Sequence, residues 1–524
     1  MVILGIGGIL NDAAAALVKD GVLVAAVEQK KLARYSQPGQ TPLEAMEACL
    51  ASAHLDHGKV DRVTIVRPLP AGSETALHLE LRSLFPHAQV TILDHHTAHA
   101  ASAFYASPFE QATVLTLDRQ GDLRCGARWT GRDNQLAVER ELYFPDSLGE
   151  LYSRVTALLG YTPDADEHKV QWLSTAGDDR FAGIFEDAIG LNNGWPRQDL
   201  TYFDAQRVRA GGFAPRLYQA LGLADGAPIP AALKPHVAAG VQRAVERAVA
   251  AMAGEGENLA LAGGLAYNAL LIHSLENSGR WRNVFVQPVS GNAGTAVGAA
   301  LHGWHTVAGR AGRSPLASLC LGPHFQAEEV KKVLENCKLR FRYLLTEGEL
   351  IQSAVAELND NKIVAWMQGR MEFGPRALGN RSILASPKNP YSTENLNIFI
   401  KHREPFRKFA ASVPAELVSD YFEAGPNARF LATVSRVKPA HRATFESALL
   451  GQNFVRVHAV HKDDNPLYWN LLHAAGKSTG LPVLYNTSFN LFGDPLVCTP
   501  RDAVRSFYSS GIDSMFAGSF LLQK

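Results

Sequence analysis

Runs of apolar residues broken by short polar turns predict strands at the start of the chain. Val2–Ile6 is an unbroken apolar run that ends in Gly5-Ile6-Gly7-Gly8. Ala13–Val18, the turn Lys19-Asp20-Gly21 and Val22–Val27 then read as a hairpin, two β-runs split by a glycine-bearing turn. The plan recurs further on. Thr113–Leu117 leads into Asp118 and Gly121-Asp122, and Cys125–Thr130 can pair back on it.

Two copies of strand, acidic turn and returning strand predict an α/β chain whose first part is a duplicated actin-like (ASKHA) domain. Val90–Leu93 is a further strand, followed by an Ala-rich helix through Phe104. Leu259–Ala262 runs into Gly263-Gly264 and a helix-like stretch, Leu265–Leu275. A double glycine there either lets backbone approach a nucleotide or makes a tight strand–helix turn. Gly263, Gly264 and Asn268 are the nucleotide-binding candidates. Thr295–Trp304, after Gly291-Asn292-Ala293-Gly294, is a small-residue helix suited to close packing. A boundary falls within 306–345, where Gly309–Pro315 and Leu321-Gly322-Pro323 interrupt the pattern and Glu328–Leu334 reads as a charged surface helix. Ile363–Trp366 begins a new strand, which gives a division into 1–325 and 326–524.

Composition narrows the function. Of 524 residues, 46% are hydrophobic and 19% charged, enough apolar content for sizeable cores. Lys+Arg and Asp+Glu both number 51. A neutral chain is not a generic binder of nucleic acid or anionic membrane. Any anion site must come from local basic clusters. Five scattered cysteines without a Cys-x-x-Cys argue against a disulfide framework and for a cytoplasmic protein. The N-terminus lacks a basic region and reads as a strand rather than a signal peptide. No apolar run approaches the roughly 18 residues of a membrane span.

Two stretches carry chemistry. The first is 366–386, where Arg370, Arg376, Arg381 and Ser382 sit among glycines. Arginine forks match carboxylate and phosphate oxygens bidentately, so the loop suits a phosphorylated small molecule. The second is Asp94-His95-His96-Thr97-Ala98-His99. On a helix, His95 and His99 share one face, and Asp118 at the end of the next strand can add an oxygen. Two imidazoles and one carboxylate suit Fe(II) and leave positions open for substrate. Strand-then-Asp-His-His also occurs in DHH phosphoesterases, but their two-metal site needs further aspartates, and Asp12 and Asp61 do not form that set.

The arginine loop, the His-His-x-x-His segment and Asn486-Thr487-Ser488-Phe489-Asn490 together resemble the O-carbamoyltransferase family of nodulation, cephamycin and tobramycin biosynthesis. Gly-Arg-Met-Glu-Phe-Gly-Pro-Arg-Ala-Leu-Gly-Asn-Arg-Ser, from Gly369, is the most specific stretch. The resemblance implies an actin-like N-terminal domain and a C-terminal domain similar to threonylcarbamoyl-adenylate synthase. It implies that the C-terminal site makes carbamoyl-adenylate from carbamoyl phosphate and ATP, and that the N-terminal site passes the carbamoyl group to a hydroxyl of a small-molecule or sugar acceptor. Fe(2+) or another divalent metal is the implied cofactor, with Mg(2+) an additional candidate. No nucleic acid or membrane partner is implied, and a homodimer is left open.

Carried over by residue, the metal positions fall on His95, His99, Asp118 and Asn292. Relatives usually have Asp at the last of these. Carbamoyl phosphate and ATP fall to Arg370, Arg376, Arg381, Ser382, Lys401, Arg403, Arg407, Arg456, Asn486 and Ser488, the last two expected after a strand at Pro482–Tyr485. Asn11-Asp12 stands where the family reads His-Asp, so base candidates shift to Asp12 and His96. Lys169 fits a Glu-x-Lys motif, but the following Val170–Ser174 departs from the family. Arg119 replaces a Gly and is expected to put a cation beside the metal site. Two other readings stay open: a kinase of the actin-like fold, and a non-catalytic or divergent nucleotide-binding paralogue.

Overall fold

β1 (Val2–Gly7) is buried along its whole length. It pairs antiparallel with β2 (Ala14–Lys19), which pairs antiparallel with β3 (Val22–Glu28). On its other side β1 runs parallel to β4 (Arg62–Val66), and β4 to β5 (Gln89–Leu93). The sheet order is β3-β2-β1-β4-β5. The small-residue helix, Gly294–His302, lies on β1. A Cβ on Gly5 would stand 2.1 Å from the Ala296 carbonyl oxygen, and one on Gly7 2.2 Å from Thr295 Oγ1. Glycine is therefore required on β1 for this helix to seat.

The structure is a computed structural model that describes residues 1–35, 37–67, 74–491 and 493–524. The chain forms two units: Met1–Leu93 with Asn292–Leu449 and Asn453–Lys524, and Asp94–Gly291 with Leu450–Gln452. The second unit repeats the plan of the first sheet. β6 (Gln111–Gly121), β7 (Arg124–Arg132) and β8 (Gln135–Tyr143) form an antiparallel meander. Gly256–Ala262 and Trp281–Val286 add in parallel beyond β6. Order and strand directions are those of the first sheet, so the duplicated actin-like architecture is present. β8 escapes the sequence pattern because most of its residues are exposed.

The first unit also holds a mixed ten-stranded sheet. Its centre runs Ser514–Ala517, Val364–Met367, Arg381–Ala385, Leu484–Ser488, Ala410–Pro414 and Phe454–Val460. The register defines its two faces. Met367, Ile383, Tyr485, Ala411 and Val457 belong to a large apolar core on one face. On the other, Trp366 stands opposite Ser382, Ser382 opposite Ser488, Asn486 opposite Ala410, and Ala410 opposite Arg456. That face is apolar at Val364, Leu384 and Leu484 and polar at Ser382, Ser412, His458 and Asn486, all buried. A buried polar half-face in an otherwise apolar sheet is the mark of a site. Among the described residues no helix is long and apolar enough to cross a membrane.

Candidate functional site

The polar half-face carries a cluster of cations. Burial, and after it the charges of Arg376, Arg403 and Arg407, holds the Arg456 guanidinium well below its usual range. Burial and then Arg407 push Arg403 down to about 9. Lys401 is lowered by burial, then by Arg403 and Arg407. These groups are close enough to repel one another, and an anion among them would relieve that repulsion. Lys401 Nζ donates to the carbonyls of Ser488 (2.6 Å) and Asn490 (2.9 Å) and to Asn490 Oδ1 (2.7 Å). Ser488 Oγ donates to Asn490 Oδ1 at 2.7 Å. Asn486 Nδ2 donates to the Ala377 carbonyl (3.0 Å) and to Ser412 Oγ (3.3 Å). Asn486 and Ser488 lie within the strand Leu484–Ser488 rather than after it.

The arginines of 366–386 divide by role. Arg376 joins the cluster, whereas Arg370 and Arg381 turn their donors on main chain. Arg370 Nε donates to the Gly322 carbonyl at 3.0 Å, and its Nη2 to those of Val24 (2.9 Å) and Leu321 (2.6 Å). Arg381 is fully buried, and its Nη1 donates to the carbonyls of Gln368 (2.6 Å) and Asn380 (3.0 Å). Strand periodicity explains the split: Arg381 shares the core face with Ile383, while Ser382 shares the site face with Ser488. Ser382 Oγ accepts from Gly379 N at 3.1 Å. Arg370 and Arg381 brace the loop, a role that a reading of loop composition does not reveal.

In the second unit the helix His95–Phe104 opens on Asp94, whose side chain accepts from Thr97 N. Its first turn sets His95 and His99 against Asp118 of β6. His95 Nε2 lies 2.9 Å and His99 Nε2 3.1 Å from Asp118 Oδ2, and the two Nε2 atoms are 3.1 Å apart. These three ligand atoms converge closely enough to offer a divalent cation a common site. His99 Nδ1 is buried without a hydrogen-bond partner. Burial pushes the Asp118 carboxyl up, but hydrogen bonds and charge from His95 and His99 outweigh it and hold the group well below the usual carboxylate range. Glycines make room: a Cβ on Gly121 would lie 2.5 Å from His95 Cδ2, and one on Gly264 3.0 Å from Asp118 Oδ1.

Several other expectations change. His96 is buried, its Nε2–H donates to the Arg124 carbonyl (3.1 Å), and its Nδ1 lies 3.0 Å from Thr116 Oγ1. Burial, then His95 and His99, lower its pKa well below the histidine range. Both ring nitrogens are engaged, so His96 is a strut of β6 and not a base. Asn268 caps the helix Ala269–Glu276, accepting from Leu271 N, and its Nδ2 donates to Gln242; its amide is spent within the fold. Gly263 has φ of +99°, and a Cβ there would stand 2.1 Å from the Leu117 carbonyl oxygen. Its role is close strand contact. Arg119 turns to Glu150 (2.6 Å) and Asp164, so its charge is matched. Asp12 pairs with Lys30, and Lys169 with Asp166 at 3.1 Å. Asn292 belongs to the first unit, where its carbonyl accepts from Thr295 Oγ1 at 2.6 Å.

Comparison with known proteins gives the family. Residues 72–301 match the family described as Carbamoyltransferase N-terminus, and residues 355–524 match Carbamoyltransferase C-terminus. An uncharacterized protein of Synechocystis, sll1178, is 33% identical, with the alignment covering 100% of this chain and 96% of the relative. Nodulation protein NolNO of Sinorhizobium fredii is 31% identical over 98% of this chain and 79% of its own length. A 3'-hydroxymethylcephem-O-carbamoyltransferase of Amycolatopsis lactamdurans is 29% identical over 52% of this chain and 49% of its own. With both family halves matched in order and near-complete relatives above 30% identity, the chain belongs to the carbamoyltransferase family.

Proposed function

We propose that this carbamoyltransferase is ATP-dependent and works in two stages, making carbamoyl-adenylate at the arginine cluster and then transferring the carbamoyl group to a hydroxyl of a small-molecule or sugar acceptor. The observation that carries the reading is that the charges of Arg376, Arg403 and Arg407 converge on Arg456, which stands on the polar half-face of the sheet in a neutral protein. Such a cluster suits a doubly anionic pair of substrates. A carbamoyl group is a poor electrophile because its nitrogen donates into the carbonyl. Water releases carbamate and phosphate from carbamoyl phosphate. A carbamate oxygen then attacks the α-phosphorus of ATP, pyrophosphate leaves, and the resulting adenylate is a good leaving group. The arginines orient the two anions and stabilise charge as it moves to pyrophosphate. This stage is assigned to residues 326–524 and transfer to 1–325.

For the second stage, His95, His99 and Asp118 fit a divalent ion, Fe(2+) among the candidates. Such an ion, when bound, supplies Lewis-acid polarisation of an oxygen. The chain's own part is to keep Asp118 ionised through its two imidazole neighbours and to hold both rings on one helix face. The O-carbamoyl outcome is supported by the named cephem relative.

Arg376→Ala is the test. It should abolish carbamoyl-phosphate-dependent exchange of pyrophosphate into ATP while leaving transfer from supplied carbamoyl-adenylate intact. Loss of both activities would overturn the two-stage division, and appearance of a phosphorylated acceptor would favour a kinase.

A further inference from the structure

Glu372 is fully buried, yet it belongs to no substrate-binding set. Its Oε1 accepts three main-chain N–H groups, from Leu378 (2.7 Å), Asn380 (2.8 Å) and Arg381 (3.1 Å). The segment from 372 to 381 is thereby curled round one carboxylate oxygen, with Arg376 in the middle of the curl. The other limb of the curl is held from the first sheet's side. Lys31, just after β3, is 3% exposed, and its Nζ donates to the carbonyls of Glu372 (2.9 Å) and Gly374 (2.6 Å). Glu28 Oε1 accepts from Gly374 N at 2.9 Å and lies 3.0 Å from Lys31 Nζ. Carboxylate and ammonium groups are seldom buried this deeply unless their bonds fix something. Among the described residues, the bonds of Lys31 and of Glu372 Oε1 all end within residues 28–31 or 372–381.

We propose that Glu372 and Lys31 are positioning residues of the arginine site: they fold the turn that presents Arg376, so anion affinity at residues 376–456 is set in part by a lysine beside β3. This rests on the arginine cluster being the anion site of the proposed function. Neither residue touches substrate in this scheme. Glu372 acts by shape and hydrogen bonding, Lys31 by holding two carbonyls, and both act through Arg376.

The test uses the full chain with three readouts: the KM for carbamoyl phosphate in pyrophosphate exchange, the Kd for inorganic pyrophosphate, and the rate of transfer from supplied carbamoyl-adenylate. Lys31→Met and Glu372→Ala should each raise KM and Kd by about tenfold or more, with transfer unchanged. Glu372→Gln, which keeps an oxygen to accept the three N–H groups, should restore affinity to within about threefold of wild type. In an Arg376→Gln background, Lys31→Met should shift the pyrophosphate Kd by less than about twofold, since the residue it positions is gone. A full tenfold shift in that background would overturn the inference, as would Lys31→Met leaving KM at the wild-type value. If Glu372→Ala does not fold, Lys31→Met, alone and in the Arg376→Gln background, still decides the matter. Wild-type exchange with no KM shift in the variants sinks the inference and spares the proposed reaction. Wild-type pyrophosphate binding without exchange, weakened in Lys31→Met, sinks the reaction and spares the inference. No pyrophosphate binding by wild type overturns both.

Discussion

The Nε2 atoms of His95 and His99 stand 3.1 Å apart and face the same oxygen of Asp118. Purified protein should carry a divalent metal, measurable by mass spectrometry of the ashed sample. His99→Ala should lower that content by about tenfold or more. A chelator should lower the melting point of wild type and leave that of His99→Ala unmoved, because only a ligand of the native state shifts its stability. Identical melting points with and without chelator would exclude the site.

The arginine cluster makes a second prediction. Pyrophosphate or ATP should raise the melting point, with a stabilisation of about 2.7 kcal/mol at a ligand concentration a hundred times Kd. Arg456→Met should lose at least half of that rise, since Arg456 is crowded by Arg376, Arg403 and Arg407. High salt should blunt the response. An undiminished rise in the variant would place the anion elsewhere.

His96 should prove structural. His96→Gln removes two buried hydrogen bonds, to the Arg124 carbonyl and Thr116, and should cost about 1–3 kcal/mol of stability. Transfer from carbamoyl-adenylate should stay within about tenfold of wild type, because the effect of a general base is about a hundredfold or more. A loss of about a thousandfold with an unchanged fold would restore His96 as the base.

His458 gives the protein a pH signature. Burial, then His461, pushes its pKa from 6.5 to about 3. The unfolded chain binds a proton that the folded one refuses, so the contribution is fully present above the unfolded value and is lost as pH falls from about 6.5 toward about 3. In urea titrations the midpoint of wild type should drop across that window. His458→Asn should flatten the drop. Equal slopes in the two proteins would refute the assignment.

Much of this was legible in the sequence, and the exceptions share a cause. The first hairpin, the strand and helix around the histidines, and the small-residue helix all follow from apolar periodicity that local residues determine. β8 did not, because Arg140 breaks the alternation of Leu136, Val138 and Leu142 in an exposed edge strand. The pairing of His95 with His99 was readable because helix spacing fixes which rings share a face. The structural bonds of Arg370, Arg381, His96 and Asn268 were not readable, because each spends polar groups on residues distant in sequence, such as Val24, Thr116 and Gln242. Glu372 went unnoticed for another reason: its partners lie only six to nine residues on, but within a loop that has no periodicity to read. A carboxylate in a loop looks solvated until three amide hydrogens are found pointing at it.

The seating of the Gly294–His302 helix on β1 has a consequence for synthesis. The ribosome delivers β1 almost three hundred residues before the helix that covers it. The long segment 94–291, nearly all of the second unit, emerges in between and can close on itself during translation. Until the helix follows, the glycine-lined surface of β1 stays bare, and a chain arrested in that interval offers it to other nascent chains. Expression yield should therefore depend on chaperones that shield early translation products, and fragments ending before residue 294 should aggregate where the full chain does not.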